Sequence, residues 1–198
     1  MGTVEIWMAE SIADRFIADD RHQKGKTVER EIAKYSTLMI AIHWLTAILV
    51  VVAYLLSEGG EHVRTDPPFW HFVCGLAVLV LVFPRLIARL LGGAPAAQDA
   101  GSALLNMAVK LGHGTLYLLL VAVPLTGWYA VSRLGVPVDL FGWTLPPIAA
   151  AVKGNIGVIA NIHQIGGNAI LIFAGMHAAM GLWHQFIRRD HTLERMRP

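Results

Sequence analysis

At 198 residues, the chain is 55% hydrophobic and only 15% charged. That is too apolar for a soluble domain, which must clothe its surface in charge, so a membrane protein is expected. The formal net charge of +2 is small and the basic residues sit between apolar runs rather than in one stripe, which argues against a nucleic-acid partner, while a single cysteine, Cys74, excludes disulfide frameworks and any cofactor attached through paired thiols.

Residues 1–33 form an N-terminal extension. It lacks the short basic stretch and immediate apolar core of a signal peptide, so the membrane segments themselves are expected to direct targeting. Ile6, Trp7, Ile12, Phe16 and Ile17 suit a short interfacial helix, with a solvated tail as the plain alternative.

A bilayer core of about 30 Å needs roughly 20 apolar helical residues, because lipid cannot satisfy backbone polar groups and a helix satisfies its own. Four segments qualify: 38–56, 67–90, 108–132 and 156–187. The expected fold is all-α, an integral membrane four-helix bundle over residues 34–198. The last segment exceeds what a span requires and is expected to tilt or protrude. The apolar stretch between spans three and four carries Pro137, Pro146 and Pro147, which break helices, and it reads as a loop along the membrane surface.

Lysine and arginine set orientation. Thirteen of them fall in the N-terminal segment, the connection between spans two and three, and the C-terminal tail, against three in the other two connections. Both termini are therefore expected to be cytoplasmic.

Histidine inside a membrane span is costly and marks a functional site by default. His43 lies near the cytoplasmic start of span one and His71 near the outer start of span two. On span four, His163 lies near the outer end and His177 towards the cytoplasmic end. Their separation of about 21 Å along the helix returns them to within roughly 40° of one face. Alternating helix direction then pairs His43 with His177 and His71 with His163, at two depths. Each pair could clamp one haem iron through its axial positions, an arrangement suited to electron transfer because no coordination site stays open.

Other residues surround these pairs. His113, early in span three, competes with His43 or His177 for the cytoplasmic ligand position. His184 shares the face of His177 but lies about 10 Å further out. An imidazole exchanges protons near neutral pH, so it suits a quinone environment better than iron ligation; a solvated surface histidine is the plain alternative. Arg85, Arg89 and Lys110 are candidate partners for the anionic haem propionates, although the positive-inside rule also accounts for them. Gly75, Gly166, Gly167, Gly175 and Gly181 clear space for a flat macrocycle or for helix packing.

The run Lys34-Tyr35-Ser36, then Ile42-His43-Trp44, His71, Leu111-Gly112-His113, His163, His177-Ala178-Ala179 and the closing segment from Arg189 to Met196 together resemble the bacterial cytochrome b561 family over about residues 34–197. The resemblance implies a di-haem b cytochrome of the bacterial inner membrane with His43, His71, His163 and His177 as iron ligands. It further implies a superoxide oxidase that passes electrons from superoxide to ubiquinone. Related members are membrane subunits serving partner hydrogenases or formate dehydrogenases. Two features depart from the pattern: the N-terminal extension, and outer connections whose Arg64, Arg133 and Lys153 are outnumbered by Glu58, Glu61, Asp66 and Asp139. A superoxide anion is steered by a positive field, which this balance does not supply.

Overall fold

The computed structural model describes residues 34–57, 68–91, 101–152, 156–190 and 192–197. The extension with its expected interfacial helix, and Arg64 and Lys153, lie outside the described residues. Among the described residues, four helices are long and apolar enough to cross a membrane: α1 Thr37–Leu55, α2 Phe69–Leu90, α3 Ala103–Leu134 and α4 Gly157–Trp183. The expected all-α membrane bundle is thus observed.

Three of the four helices begin where the sequence supplies a start. The Ser36 hydroxyl accepts the Met39 N–H at 3.3 Å and caps α1. Pro68 precedes α2, where its missing N–H costs nothing. The Ser102 hydroxyl accepts the Leu105 N–H at 3.2 Å, so α3 starts at Ala103, earlier than the expected 108. At 32 residues, α3 is about 48 Å long and exceeds a bilayer core. It stops at Gly135, whose φ of +70° is the left-handed turn that glycine adopts without strain. Pro84 and Pro124 sit inside α2 and α3, a placement that membrane helices accept because neighbouring groups satisfy the freed backbone.

The α3–α4 connection is more ordered than the irregular loop its prolines suggest. Strands β1, Val138–Leu140, and β2, Trp143–Leu145, pair antiparallel with Val138 opposite Leu145. Phe141 and Gly142 both take positive φ, 51° and 90°, the two-residue turn that matches strand twist. The sequence signal was hidden because a phenylalanine stands where asparagine or glycine is usual. Val138 and Leu145 bury against Val131, with Phe72, Leu76 and Trp128 alongside. The Trp128 indole donates to the Pro146 carbonyl at 3.2 Å, and the Ile148 N–H donates to the Ser132 hydroxyl at 3.1 Å. This end of the bundle is called the hairpin end.

At the opposite, tail end, α4 passes into a π-helical turn, His184–Arg188, and then a 3-10 turn, Leu193–Met196. The tail clasps the start of α1: the Tyr35 N–H donates to the Arg195 carbonyl at 3.1 Å, and the Trp44 indole to the Met196 carbonyl at 2.9 Å. Between the two ends, Val78, Val82, Leu120 and Ile170 form a buried apolar cluster. α1 packs mainly on α2 and α3 mainly on α4, while α1 meets α4 more sparsely.

Candidate functional site: two imidazole pairs in the bundle

At the hairpin end, His71 of α2 and His163 of α4 face each other with ring centres 5.9 Å apart and planes crossed at 83°. Each ring is oriented by a backbone carbonyl of a neighbouring helix. His71 Nδ1 lies 2.7 Å from the Ala53 carbonyl of α1. His163 Nδ1 lies 2.9 Å from the Val123 carbonyl of α3, with the Thr126 hydroxyl at 3.3 Å. A carbonyl only accepts, so both Nδ1 atoms carry the proton and both Nε2 atoms keep a lone pair. A backbone acceptor fixing the far nitrogen is how proteins commonly orient a metal-binding imidazole.

His163 also has a bare surface to rest on. A Cβ placed at Gly127 would lie 2.9 Å from His163 Cε1 and 3.2 Å from its Nδ1, closer than real carbon contacts allow, so this position requires glycine. Gly166 serves plain packing, since a Cβ there would meet the Val123 side chain at 2.9 Å. Gly75, Gly167 and Gly175 face open space. Both rings line one cavity, together with Phe72, Gly75, Leu76, Pro124, Gly127 and Trp128.

At the tail end, His43 of α1 and His177 of α4 have ring centres 6.2 Å apart and planes crossed at 74°. His113 of α3 joins them, 5.2 Å from His177, with its Nδ1 held by the Val109 carbonyl at 2.8 Å. His43 Nδ1 is buried without a hydrogen-bond partner. Arg85 sits within electrostatic reach of His43 and His177 and stacks 5.5 Å over the Tyr117 ring. Its Nε is also buried without a partner, a cost that an anion would offset. Arg89 and Lys110 stand exposed at the surface.

A metal–imidazole bond is about 2 Å long, so two axial imidazoles sharing one iron place their ring centres about 6 Å apart. The pairs His71/His163 and His43/His177 lie near this spacing, and His113–His177 is shorter, at 5.2 Å. Among the described residues no three His, Cys, Asp or Glu side chains converge as a cage for a bare metal ion. Each pair instead offers two donors, the number a porphyrin-held iron leaves open.

His184 lies apart from these pairs. Its Nδ1 is 2.5 Å from Asp190 Oδ2. Burial alone would raise the Asp190 carboxyl, but hydrogen bonds from Thr192 and His184 outweigh it and hold the group at about 2. Sequence reading missed this partner and also Gly127. An i to i+6 contact follows no helical period, and a lone helical glycine has many explanations.

Comparison with known proteins agrees with this architecture. The family model for prokaryotic cytochrome b561 matches residues 34–198. The "Probable superoxide oxidase CybB" of Yersinia pestis is 32% identical over 169 residues, covering 83% of this chain and 96% of that protein. "Cytochrome b561 homolog 2" of Escherichia coli (strain K12) is 29% identical, covering 82% and 90% of the two chains. "Cytochrome b562" of Cereibacter sphaeroides is 31% identical, covering 82% and 94%. With a matching family model over most of its length and four helices long and apolar enough to cross a membrane, this chain belongs to the prokaryotic cytochrome b561 family of membrane electron-transfer proteins, and haem b binding follows from that membership.

Proposed function

We propose that the chain is a di-haem superoxide:ubiquinone oxidoreductase of the bacterial inner membrane. His71 and His163 would hold the iron of a hairpin-end haem, and His43 and His177 that of a tail-end haem. The observation that carries the assignment is the recurrence of an imidazole pair, 5.9 and 6.2 Å between ring centres, at two levels of one bundle. When bound, each haem b supplies a one-electron carrier whose iron alternates between ferric and ferrous states.

The chain's own residues account for the rest. The Ala53 and Val123 carbonyls fix the hairpin-end imidazoles with their lone pairs available for iron. Arg85 is the propionate partner at the tail end, with Arg89 and Lys110 at hand from the surface. His113 shapes the surroundings of His177 without ligating iron. His184 exchanges protons with ubiquinone. Placement of thirteen of sixteen basic residues supports a cytoplasmic tail end and an outer hairpin end. Superoxide as donor rests on likeness to the Yersinia pestis protein, at 32% identity.

A second reading is a membrane subunit that passes electrons between quinone and a partner hydrogenase or dehydrogenase. The excess of acidic over basic residues in the outer connections favours it, because an anion is not steered to a negative surface. Stopped-flow mixing of purified oxidised protein with superoxide, then with ubiquinone, separates the two. Rapid appearance of reduced b-type bands followed by their decay on quinone addition supports the oxidoreductase. Bands that stay oxidised, together with copurification of a catalytic subunit, support the conduit. Purified protein without a low-spin b-type spectrum overturns both.

A further inference from the structure

The tail end of α4 carries a polar constellation that iron binding does not use. His184 opens the π-helical turn, a deviation common at functional sites. The chain then reverses at Arg189, a non-glycine residue with φ of 53°, an uncommon conformation that persists where surrounding contacts enforce it. The reversal carries Asp190 back along the helix, so that its N–H donates to the His184 carbonyl at 3.3 Å and its Oδ2 meets His184 Nδ1 at 2.5 Å.

The carboxylate is held on both oxygens. Oδ1 accepts the Thr192 N–H at 3.2 Å and the Thr192 hydroxyl at 2.6 Å. Arg188 Nε stands 3.8 Å from Oδ2. An ionised carboxylate only accepts hydrogen bonds, so His184 Nδ1 carries a proton and Nε2 is the nitrogen that gains and loses one. A carboxylate behind an imidazole fixes its tautomer and orientation.

Resting on the quinone-reducing reading above, we infer that Asp190 is a positioning residue: it holds His184 so that Nε2 delivers one of the two protons that quinone reduction consumes. The stoichiometry is closed. Ubiquinone takes two electrons and two protons, and one O–H bond forms at each carbonyl oxygen. Two superoxide anions each lose one electron and leave as dioxygen. One proton leaves His184 Nε2, whose electron pair remains on the ring and takes a replacement from tail-end water. The second proton comes from solvent. Asp190 itself stays ionised throughout.

The test uses the full-length, haem-loaded protein, pre-reduced with dithionite and reoxidised by a short-chain ubiquinone, with quinone affinity measured separately by calorimetry. In Asp190→Asn, kcat for quinone reduction is expected to fall about tenfold or more, the scale of a lost proton-transfer aid. KM and calorimetric affinity are expected to stay within about twofold. Asp190→Glu, which restores the carboxylate, is expected to recover much of the rate, and it serves as the deciding variant if the asparagine protein loses its haem spectrum. Unchanged kcat in Asp190→Asn with a slowed His184→Gln overturns the role of Asp190 alone. An equal rise in KM and loss of affinity assigns Asp190 a merely structural role and also overturns it. Wild-type protein that is not reoxidised by ubiquinone overturns the underlying reading, and this inference with it.

Discussion

The imidazole of His163 rests on the backbone of Gly127, so closely that a single added methyl at Gly127 would stand 2.9 Å from Cε1. His163 has little freedom to yield, because its Nδ1 is bound to the Val123 carbonyl at 2.9 Å. Gly127→Ala is therefore expected to push the ring off its axis and weaken haem retention at the hairpin end by about 10- to 100-fold, the usual cost of disturbing a ligand's support. The haem-to-protein ratio of purified material checks this, and a ratio equal to wild type would count against the ligand assignment.

His43 and His113 both crowd His177, at 6.2 and 5.2 Å between ring centres. On the proposed assignment of His43 and His177 as the iron-holding pair, His43→Ala is expected to remove the tail-end haem and His113→Ala to retain it with a shifted spectrum. Loss of a haem in His113→Ala with none lost in His43→Ala would reverse the roles of the two residues.

Arg85 places a positive charge beside the tail-end imidazoles, with its Nε buried and unpartnered. Such a charge favours the reduced, less positive form of an iron centre. Removing it in Arg85→Gln costs on the order of 1 kcal/mol of charge–charge interaction, equivalent to tens of millivolts. The potential of one haem, followed by redox titration of the absorption bands, is expected to fall by that amount while the other stays fixed.

Asp190 gives a pH signature. Its carboxyl is held at about 2 by Thr192 and His184, against the effect of burial. A group depressed in the folded state stabilises the fold above its ordinary value, near 4, and that contribution disappears as the pH falls through the depressed value. The difference in thermal midpoint between wild type and Asp190→Asn is thus expected to shrink between about pH 4 and pH 2. A difference unchanged down to acid pH would show that the charge is not what stabilises the tail.

The uneven distribution of lysine and arginine is a statement about topology. A reporter enzyme fused after Pro198 is expected to be active only as a cytoplasmic fusion; periplasmic activity would invert the assignment of the two ends.

The histidines were legible in the sequence because lipid makes an intramembrane imidazole expensive, so each one in a span carries information. Direction reversal between consecutive spans then supplied depth, and the structure does bring His43 to His177 and His71 to His163. What supports these rings was not legible. The Ala53 and Val123 carbonyls are backbone groups without a side-chain signature, and Gly127 is one glycine among nineteen. The hairpin was obscured by Phe141 in a turn that usually favours glycine, and the start of α3 by apolar residues that continue past the bilayer. The Asp190–His184 contact depends on a π-helical turn and a left-handed residue, neither of which leaves a periodic trace.

The buried cluster of Val78, Val82, Leu120 and Ile170 lies between the two histidine levels and is made of aliphatic side chains alone. An electron tunnels through packed hydrocarbon, whereas a proton needs a chain of hydrogen-bonding groups, and aliphatic side chains provide none. Each transfer between the two ends would therefore move charge without its counter-ion, coupling turnover to the membrane potential at about 2.3 kcal/mol per 100 mV for a full crossing.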